Sequence, residues 1–436
     1  MSLPDLIEIV PLDRPVRAEI TVPGSKSITN RALVLAALAE GETTLTGALW
    51  SEDTQVMVEC LQDLGFMVNV APEPDEACNR TITVYGLGGK VPRGGTAERP
   101  LELFVGNAGT AARFLTAMVC LGEGVYRLHG VPRMHERPQA ALFVALRQLG
   151  YRIDSPNDKL PALIHGAGPK AGAKCTVSIE ESSQFASALL LGAKVGGWRV
   201  EMVGENAEES PYVVMTSELT KVFPHQGGRF AIEPDASSGS YFLAAHWLSS
   251  TWHPNDRTPA MTRGGNISVL KWPKTTWQID ANYGQGPELP VVISRRTDLG
   301  DSIMTAIAVA PRGVTPIRFT DLGRLRLQEC ERVVALRTEL TRCGAKVIEE
   351  GDTLTVYPSP LHGAEIETYN DHRMAMCFAI LGLKVPGIKI KNPACVKKTF
   401  PNFFQKLAAP PPHGLGATIL DAHTGRRLAH DELFAD

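Results

Sequence analysis

The chain lacks any long run of apolar residues. Its longest such runs, Ala32–Ala39 and Met374–Leu381, are far shorter than the roughly 20 residues that a helix needs to cross a bilayer. The N-terminal segment carries Asp5, Glu8 and Asp13 and has no uninterrupted apolar core, which argues against a secretory signal. We therefore expect a protein that is neither exported nor embedded in a membrane, with a cytoplasmic location.

Metal-ligand patterns and a strong net charge are missing as well. The 8 cysteines form no Cys-x-x-Cys pair, and no Cys/His cluster has metal-site spacing, so we expect reduced thiols and no metal. Lysines and arginines number 44 against 47 aspartates and glutamates, which gives −3, so no overall field attracts nucleic acid. Any anion must be held by a local cluster of charge.

What the chain does contain is typical of an α/β protein. Its 436 residues exceed what one core fills and predict two large domains. Short β-rich runs such as Thr81–Val84 and Thr353–Tyr357 alternate with longer helical patterns. Three helical patterns end at Gly65, Gly150 and Gly344, each followed at once by a strand. This recurrence indicates either a repeated unit of about 65 to 85 residues or the glycine-terminated helices of any α/β protein.

Two stretches are less regular. Residues 250–300 show no clean periodicity. The last helical pattern, Asn402–Ala409, is ended by the prolines at 410–412. The residues after these prolines are expected to form a short tail.

Several helix starts in the first half combine small or hydroxyl-bearing residues with cations. Val22–Arg31 leads from a strand through a small-residue loop into an apolar helix, which is a plausible anion site, although it lacks the glycine spacing of a Walker A loop. Gly106–Arg113 repeats the arrangement, and Ser182–Gln184 opens another helix. Each segment taken alone fits an ordinary helix cap equally well.

The last third adds charged helix starts. Asp301 precedes a helix and could be only its N-cap, Leu327–Arg332 begins a helix, Arg373 opens another, and Lys397 and Lys398 precede the final one. A charged helix start is usually a solvated face. Their recurrence, however, predicts a site that binds several anionic groups.

These segments together resemble the signatures of the 5-enolpyruvylshikimate-3-phosphate (EPSP) synthase family, in the family's order from residue 18 to about 407. The matching segments are Pro23–Ser27 with Asn30–Arg31, Gly106–Ala111, Glu136–Pro138, Ser182–Gln184, Asp235–Ser238 with Tyr241–Phe242, Asn370–Met376 and Lys398–Pro401. The resemblance implies the α/β two-domain enolpyruvyl transferase fold, in which each domain is three βαβαββ repeats forming an inside-out α/β barrel. Residues 1–22 and 236–436 would form the first, discontinuous domain and residues 23–235 the second, with the active site in the cleft between them.

The implied reaction transfers the enolpyruvyl group of phosphoenolpyruvate to the 5-hydroxyl of shikimate 3-phosphate and releases phosphate, a step of the shikimate pathway. It implies no metal or organic cofactor. The expected partners are these two small molecules, without nucleic acid, membrane or a second subunit. Asp301 falls on the acidic residue near the acceptor hydroxyl, the candidate base, and Glu329 on the carboxyl group that handles C3 protons. Lys26 is expected to act between the two substrates.

The remaining site residues are carried over from the resemblance in the same way. The residues expected at phosphoenolpyruvate are Lys26, Gly109, Arg137, Gln184 and Lys398 at its phosphate, and Arg332 and Arg373 at its carboxylate. Those expected at shikimate 3-phosphate are Lys26, Ser27, Arg31, Ser182, Ser183, Gln184, Tyr212, Asp301 and Gln328.

Three departures fall on the acceptor side. Arg324 replaces an amide and Gln328 replaces a lysine, so that Arg324 or Arg326 would have to supply positive charge there. Glu209 is a poor neighbour for a phosphate, and residues 250–300 lack the family's usual Gly-Asp and helix pattern.

Two alternatives remain open. One is an enolpyruvyl transferase that acts on a different phosphorylated or nucleotide acceptor. The other is a non-catalytic relative that binds anionic metabolites, against which the intact Asp301 and Glu329 speak.

Overall fold

The computed structural model describes residues 3–204, 210–250, 266–284 and 290–435, with the side chain of residue 250 left aside. Strands and helices alternate along these residues, which confirms the α/β class. The chain divides into two compact units: unit 1 is Met1–Pro23 with Pro234–Asp436, and unit 2 is Gly24–Glu233.

The strands follow one another along the chain as β1 Leu6–Ile9, β2 Arg17–Ile20, β3 Glu40–Leu49, β4 Met67–Pro72, β5 Asn79–Leu87, β6 Leu101–Phe104, β7 Glu123–His129, β8 Arg152–Asp154, β9 Ala162–Ala167, β10 Lys174–Ser178, β11 Arg199–Val203, β12 Gly228–Ala231, β13 Asn266–Val269, β14 Val292–Ser294, β15 Ile317–Thr320, β16 Val347–Glu350, β17 Thr353–Val356, β18 Glu365–Ile366, β19 Ile388–Lys391 and β20 Ile419–Asp421. The α-helices are α1 Lys26–Leu38, α2 Glu52–Asp63, α3 Gly109–Val119, α4 Pro132–Glu136, α5 Ala140–Gln148, α6 Gln184–Gly196, α7 Pro211–Val222, α8 Ala236–Ser250, α9 Ile303–Val309, α10 Arg332–Arg342, α11 His372–Gly382 and α12 Phe403–Ala408.

One sheet pattern recurs in both units. The described residues form four sheets of four strands, ordered β12-β3-β5-β4 and β6-β7-β9-β8 in unit 2, and β14-β15-β17-β16 and β18-β19-β1-β20 in unit 1. In each sheet the first two strands are parallel and the other pairings antiparallel. The described residues also form two two-stranded parallel sheets, β10-β11 in unit 2 and β13-β2 in unit 1.

Two stretches run through the whole βαβαββ order. They are β6-α3-β7-α5-β8-β9, with the short α4 inserted, and β14-α9-β15-α10-β16-β17. Both fold into the same strand order. The repeated unit is therefore confirmed, and the glycine-terminated helices are a part of it.

The three glycines occupy equivalent places in that unit. Gly65, Gly150 and Gly344 have φ values of 90°, 90° and 91°, in the left-handed region that glycine enters without steric cost. Each ends a helix, α2, α5 or α10, and is followed by β4, β8 or β16, the edge strand of its sheet. The glycine thus allows the chain to reverse into the sheet.

Buried helices lie at the centre of each unit. In unit 2, α1, α3 and α6 pack against one another; in unit 1, α8, α9 and α11 do so. Every residue of α3 and α9 is buried, including Arg113 on α3. Helices α2, α5, α7 and α10 bury only part of their residues. The central helices begin at the motifs that the sequence singled out.

The expectation of a mere tail after the final prolines is wrong. Strand β20 pairs antiparallel with β1, with Ile419 opposite Ile9. Leu433 and Ala435 are buried in the core of unit 1, and the N–H of Ala435 donates to the carbonyl oxygen of Pro401 at 2.9 Å. This segment is an integral part of unit 1.

Two further observations concern expected absences. No helix within the described ranges is long and apolar enough to cross a membrane. All 8 cysteines are free thiols, and all except Cys330 are buried.

Of the irregular stretch 250–300, residues 251–265 and 285–289 lie outside the described residues.

Candidate active site

Four helices of unit 2 start at or beside residues that the sequence assigned to the site. Helix α1 starts at Lys26, α3 at Gly109, α6 at Gln184 and α7 one residue before Tyr212. In none of these four helices does the N-cap side chain accept a hydrogen bond from the first turn. A helix start without a capping side chain presents N–H groups and a positive dipole end, which is typical of an anion site.

Side-chain hydrogen bonds join these helix starts. Asn30 Nδ2 on α1 donates to Thr110 Oγ1 on α3 at 2.8 Å. Arg31 Nη2, also on α1, donates to Ser187 Oγ on α6 at 2.9 Å and to the carbonyl oxygen of Tyr212 on α7 at 3.4 Å. The four positive helix ends therefore lie at the same end of the unit.

Arg31 itself is enclosed by protein. Only 1% of the residue is exposed, Nε donates to Thr216 Oγ1 at 2.7 Å, and Nη1 donates to the carbonyl oxygen of Ser27 at 2.8 Å. Its guanidinium also lies over the ring of Phe114, 5.2 Å from the centroid. Burial lowers the pKa of Arg31 to about 10, which still leaves it charged at neutral pH. In this structure Arg31 links helices, and its contact with a substrate carboxylate stays a prediction.

Two guanidinium groups crowd the start of α3. Arg113 Nη1 donates to the carbonyl oxygen of Gly109 at 3.2 Å and Nη2 to that of Pro138 at 2.7 Å. Arg137 Nη1 donates to the carbonyl oxygen of Asn107 at 3.1 Å. A Cβ on Gly109 would lie 2.6 Å from Arg137 Nη2, so a larger residue at this position would displace that guanidinium. The sequence had not assigned Arg113 to the site, although it closes the segment Gly106–Arg113.

Lys26 is held by an acidic residue that sequence reasoning missed. Its Nζ lies 3.0 Å from Asp53 Oδ2, and the Asp53 side chain is 4% exposed. Asp53 belongs to the first turn of α2, where an acidic residue is ordinarily explained by the helix dipole. For this reason the sequence did not indicate that Asp53 contacts Lys26.

Ser182 and Ser183 lie at the start of α6. Ser183 is the N-cap, and Ser182 Oγ accepts from the N–H of Gln184 at 3.2 Å. Both hydroxyl groups thus belong to the same group of helix starts as Lys26 and Gly109.

In unit 1 the structure brings six predicted residues into one charged cluster, centred on Arg332, which is 1% exposed. Its Nε and Nη2 bind Asp371 at 2.7 and 3.2 Å, Nη2 also lies 2.8 Å from Glu329, and Nη1 donates to Gln328. Lys398 Nζ lies 3.3 Å from the other oxygen of Glu329. Burial opposes the charge on Arg332, but Asp371 and Glu329 outweigh it and raise its pKa.

Asp301 is the second centre of this cluster. Arg295 Nη2 donates to its Oδ1 at 2.6 Å, while Arg373 and Arg332 lie 3.6 and 3.8 Å from Oδ2. Burial favours the neutral acid, but the charges of Arg295, Arg373 and Arg332 together hold the pKa of Asp301 well below its ordinary range. The N-cap of α9 is Ser302, so the interpretation of Asp301 as only a cap is wrong.

Two helices of unit 1, α10 and α11, are capped by side chains, unlike the four helices of unit 2 described above. Asp371 accepts from the N–H of Arg373 at 2.9 Å and caps α11, and Glu331 accepts from the N–H of Val334 at 2.6 Å and caps α10. Carboxylates thus occupy these positive ends. Asp371 also holds the Arg332 side chain through Nε and Nη2.

A buried carboxyl group that sequence reasoning missed belongs to the same cluster. Asp280 is 6% exposed, and its Oδ1 accepts from the N–H of Ser302 at 2.7 Å. Burial, with the negative charges of Asp301 and Asp235, raises its pKa to about 7. Asp280 lies in the stretch that shows no periodicity, so no pattern in the sequence pointed to it.

Arg326 and Glu209 belong to the acceptor-side segments in which the sequence departs from the family. Arg326 is bound by three carboxylates, Glu331, Glu349 at 2.8 Å and Asp352 at 3.2 Å. The expectation that Arg326 supplies charge in place of a lysine at Gln328 is therefore not supported. Glu209 lies outside the described residues. Within the described ranges, no group of three or more His, Cys, Asp or Glu residues could hold a metal ion.

Comparison of the sequence with known proteins identifies the family to which it is similar. Residues 12–224 and 220–407 match the family model of EPSP synthase (3-phosphoshikimate 1-carboxyvinyltransferase). Relatives with the name 3-phosphoshikimate 1-carboxyvinyltransferase occur in Trichormus variabilis, 38% identical over 433 residues, with 92% of this chain and 98% of the relative covered, and in Opitutus terrae, 38% identical over 439 residues, with 94% and 98% covered.

Solved structures show the same fold. The EPSP synthase of Acinetobacter baumannii has a TM-score of 0.66 at 20% identity and covers 95% of this chain and 99% of its own. The enolpyruvyl transferase NikO of Streptomyces tendae has a TM-score of 0.60 at 13% identity and covers 96% and 99%. With its repeated βαβαββ units, its two compact units and these matches, the chain belongs to the EPSP synthase family.

Proposed function

We propose that the protein is a 3-phosphoshikimate 1-carboxyvinyltransferase. It transfers the enolpyruvyl group of phosphoenolpyruvate to the 5-hydroxyl of shikimate 3-phosphate and releases phosphate, on the path to chorismate and the aromatic amino acids. The observation that carries the proposal is the cluster in which Asp301 and Glu329 contact Arg295, Arg332 and Lys398. The relatives at 38% identity with this name support the acceptor.

The charges of the substrates match the groups available. We assign the carboxylate of phosphoenolpyruvate to Arg332 and Arg373, since a guanidinium pairs with a carboxylate through two parallel hydrogen bonds. Its phosphate is assigned to Lys26, Gly109, Arg137, Gln184 and Lys398. The acceptor is assigned to Lys26, Ser27, Arg31, Ser182, Ser183, Gln184, Tyr212, Asp301 and Gln328.

The chemistry needs proton transfers at two places, the acceptor hydroxyl and C3 of phosphoenolpyruvate. The acceptor oxygen bonds to C2 of phosphoenolpyruvate while its proton passes to Asp301, and C3 receives a proton from Glu329. Glu329 then removes a C3 proton, the C2–O bond to phosphate breaks, and the double bond of the enolpyruvyl group forms again. The phosphate leaves with the electron pair of that bond and takes up one proton, which balances the proton that the acceptor lost and leaves Asp301 ionised again; cationic groups stabilise its charge.

Arg332 has to change partners when substrate binds. Its nitrogens are engaged by Asp371, Glu329 and Gln328, so a substrate carboxylate competes with Glu329 or Gln328. Asp371 is completely buried and holds the edge of the guanidinium formed by Nε and Nη2, which keeps Arg332 oriented during that exchange.

The test is phosphate release by the purified protein supplied with phosphoenolpyruvate and shikimate 3-phosphate. We expect release only when both are present, in equal amount to the enolpyruvyl product. Asp301→Asn should reduce turnover by about 100-fold or more because it removes the general base. The matched variant Asp431→Asn, which changes an exposed aspartate, should leave turnover unchanged.

Other results would support other functions. Phosphate release with a different phosphorylated or nucleotide acceptor, but not with shikimate 3-phosphate, would contradict the proposed acceptor. No release with any acceptor would indicate a non-catalytic relative. We also propose that the two compact units are the two domains expected from the resemblance. The cytoplasmic location and the monomeric state stay predictions.

A further inference from the structure

We propose that Arg295 is a positioning residue that fixes Asp301 for accepting the proton of the acceptor hydroxyl. The inference rests on the proposed function. It concerns a residue that neither the sequence motifs nor the resemblance assigned to the site, in a stretch without periodicity.

The two oxygens of Asp301 have different neighbours. Oδ1 receives the 2.6 Å hydrogen bond from Arg295, whereas Oδ2 faces Arg373 at 3.6 Å and Arg332 at 3.8 Å. Once the carboxylate of phosphoenolpyruvate occupies Arg332 and Arg373, Oδ1 stays bound to Arg295. Oδ2 is then the oxygen that takes the proton, and its direction is set by the bond on Oδ1.

Arg295 is held firmly enough to serve this purpose. It begins a single turn of π-helix, Arg295–Leu299, directly after β14. Ser294 Oγ accepts from the N–H groups of Arg296 and Thr297, both at 3.1 Å, and the N–H of Ser294 donates to Asp298 Oδ2 at 2.8 Å. The Arg295 side chain is only 9% exposed. A guanidinium so enclosed has little freedom to leave its carboxylate.

After phosphoenolpyruvate binds, Arg295 is the cation that keeps Asp301 ionised. Asp301 is faced by the guanidinium groups of Arg295, Arg332 and Arg373 and by the carboxyl group of Asp280. The substrate carboxylate offsets the charge of the two arginines that bind it, which raises the pKa of Asp301 and strengthens it as a base. Arg295 then supplies the positive charge that keeps Asp301 ionised before the transfer.

Other candidates for that charge are engaged elsewhere. Gln328 is neutral and accepts a hydrogen bond from Arg332, and Arg326 is bound by three carboxylates. Arg295, in contrast, contacts Asp301 directly.

The test compares Arg295→Gln, Arg295→Lys and the neighbouring control Arg296→Gln in the phosphate-release assay. We expect Arg295→Gln to lower kcat at pH 7 by about 10- to 100-fold, with KM for phosphoenolpyruvate within about 3-fold of the unaltered protein, because the binding arginines remain. Losing one cation raises the pKa of Asp301, so the acidic limit of the kcat profile should move to higher pH. Arg295→Lys should restore part of the rate, and Arg296→Gln should behave like the unaltered protein.

An unchanged kcat in Arg295→Gln, or a loss of kcat with an unmoved pH profile, would overturn the inference. A second measurement does not need the reaction: urea unfolding of Arg295→Gln, Asp301→Asn and the double variant. If the two groups are paired, the effects on the unfolding midpoint are not additive. Additive effects would overturn the inference even if the unaltered protein used another acceptor, whereas failure of the unaltered protein to release phosphate would count only against the proposed function.

Discussion

Asp280 and Asp301 are two carboxyl groups of one cluster whose pKa values are displaced in opposite directions. Burial and the negative charge of Asp301 raise the pKa of Asp280 to about 7. Three arginines overcome the burial of Asp301 and lower its pKa. Environments that separate the pKa values of neighbouring carboxyl groups are typical of active sites.

Asp280→Asn should change how stability depends on pH. The folded state keeps the Asp280 proton up to about pH 7, whereas the unfolded chain releases it near pH 4. The stabilisation that protonated Asp280 provides is therefore complete below about pH 4 and is lost as pH rises to 7. Asparagine stays neutral and can still accept from Ser302, so the variant should gain about 2–3 kcal/mol relative to the unaltered protein between pH 5 and pH 8.

Urea unfolding at both pH values measures this difference. Asp13→Asn, which changes an exposed aspartate, should show no such gain. Stability curves of the Asp280→Asn variant and the unaltered protein that stay parallel across this range would refute the account of Asp280.

Gly109→Ala should weaken phosphoenolpyruvate binding without unfolding the protein. The added methyl group would lie 2.6 Å from Arg137 Nη2 and 2.8 Å from Arg113 Nη1, so Arg137 has to move. A charged hydrogen bond is worth about 1.5–3 kcal/mol, and KM for phosphoenolpyruvate should rise by about 10-fold or more. The added methyl group meets the ends of two flexible side chains, so we expect the midpoint of unfolding to stay unchanged. An unaltered KM for phosphoenolpyruvate would contradict the assignment of Gly109 and Arg137 to the phosphate site.

Gln328→Lys should raise KM for phosphoenolpyruvate, although lysine is the residue found in the family. Gln328 accepts a hydrogen bond from Arg332, whereas lysine cannot accept one and places a second positive charge there. Gln328→Met, which removes the acceptor but adds no charge, should have a smaller effect. Steady-state kinetics with both substrates would measure this. Faster turnover of the lysine variant would show that the contact of position 328 with the acceptor matters more than its contact with Arg332.

Leu433→Ala should destabilise unit 1 although it lies beyond the residues that match the family model. Leu433 is 1% exposed, and removing a buried leucine side chain costs about 2–5 kcal/mol. The exposed Val314, at 75%, offers the control variant Val314→Ala, which should cost under about 0.5 kcal/mol. Chemical denaturation measures both. Equal, small effects would mean that the C-terminal segment is an appendage.

Much of the fold arises from local patterns. Gly65, Gly150 and Gly344 end helices because only glycine enters the left-handed region without cost. Each is followed by the edge strand of its sheet, so these glycines mark the repeated unit in the sequence. Lys26, Gln184 and Arg373 lie at helix starts, which small and polar residues before apolar helices indicate. Such signals are local, and the structure agrees with them.

Other features depend on contacts between distant residues. Asp53 meets Lys26 across 27 positions, Asp371 meets Arg332 across 39, and Asp280 reaches Ser302 from a stretch without periodicity. No local spacing encodes these pairs. The pairing of β20 with β1 is of the same kind, since a three-residue strand after three prolines has almost no propensity signal of its own.

The sequence by itself therefore determined the α/β class, the repeated unit and the helix starts that carry positive charge, because periodicity, glycine conformation and charge at helix ends act within a few residues. The tertiary structure decided which carboxylates hold those charges. In the folded protein Arg31 is buried between helices, Arg326 binds three carboxylates, and Arg295 donates to Asp301. Burial and the distance between charges set pKa values and side-chain orientation, and both arise only when segments far apart in the chain pack together.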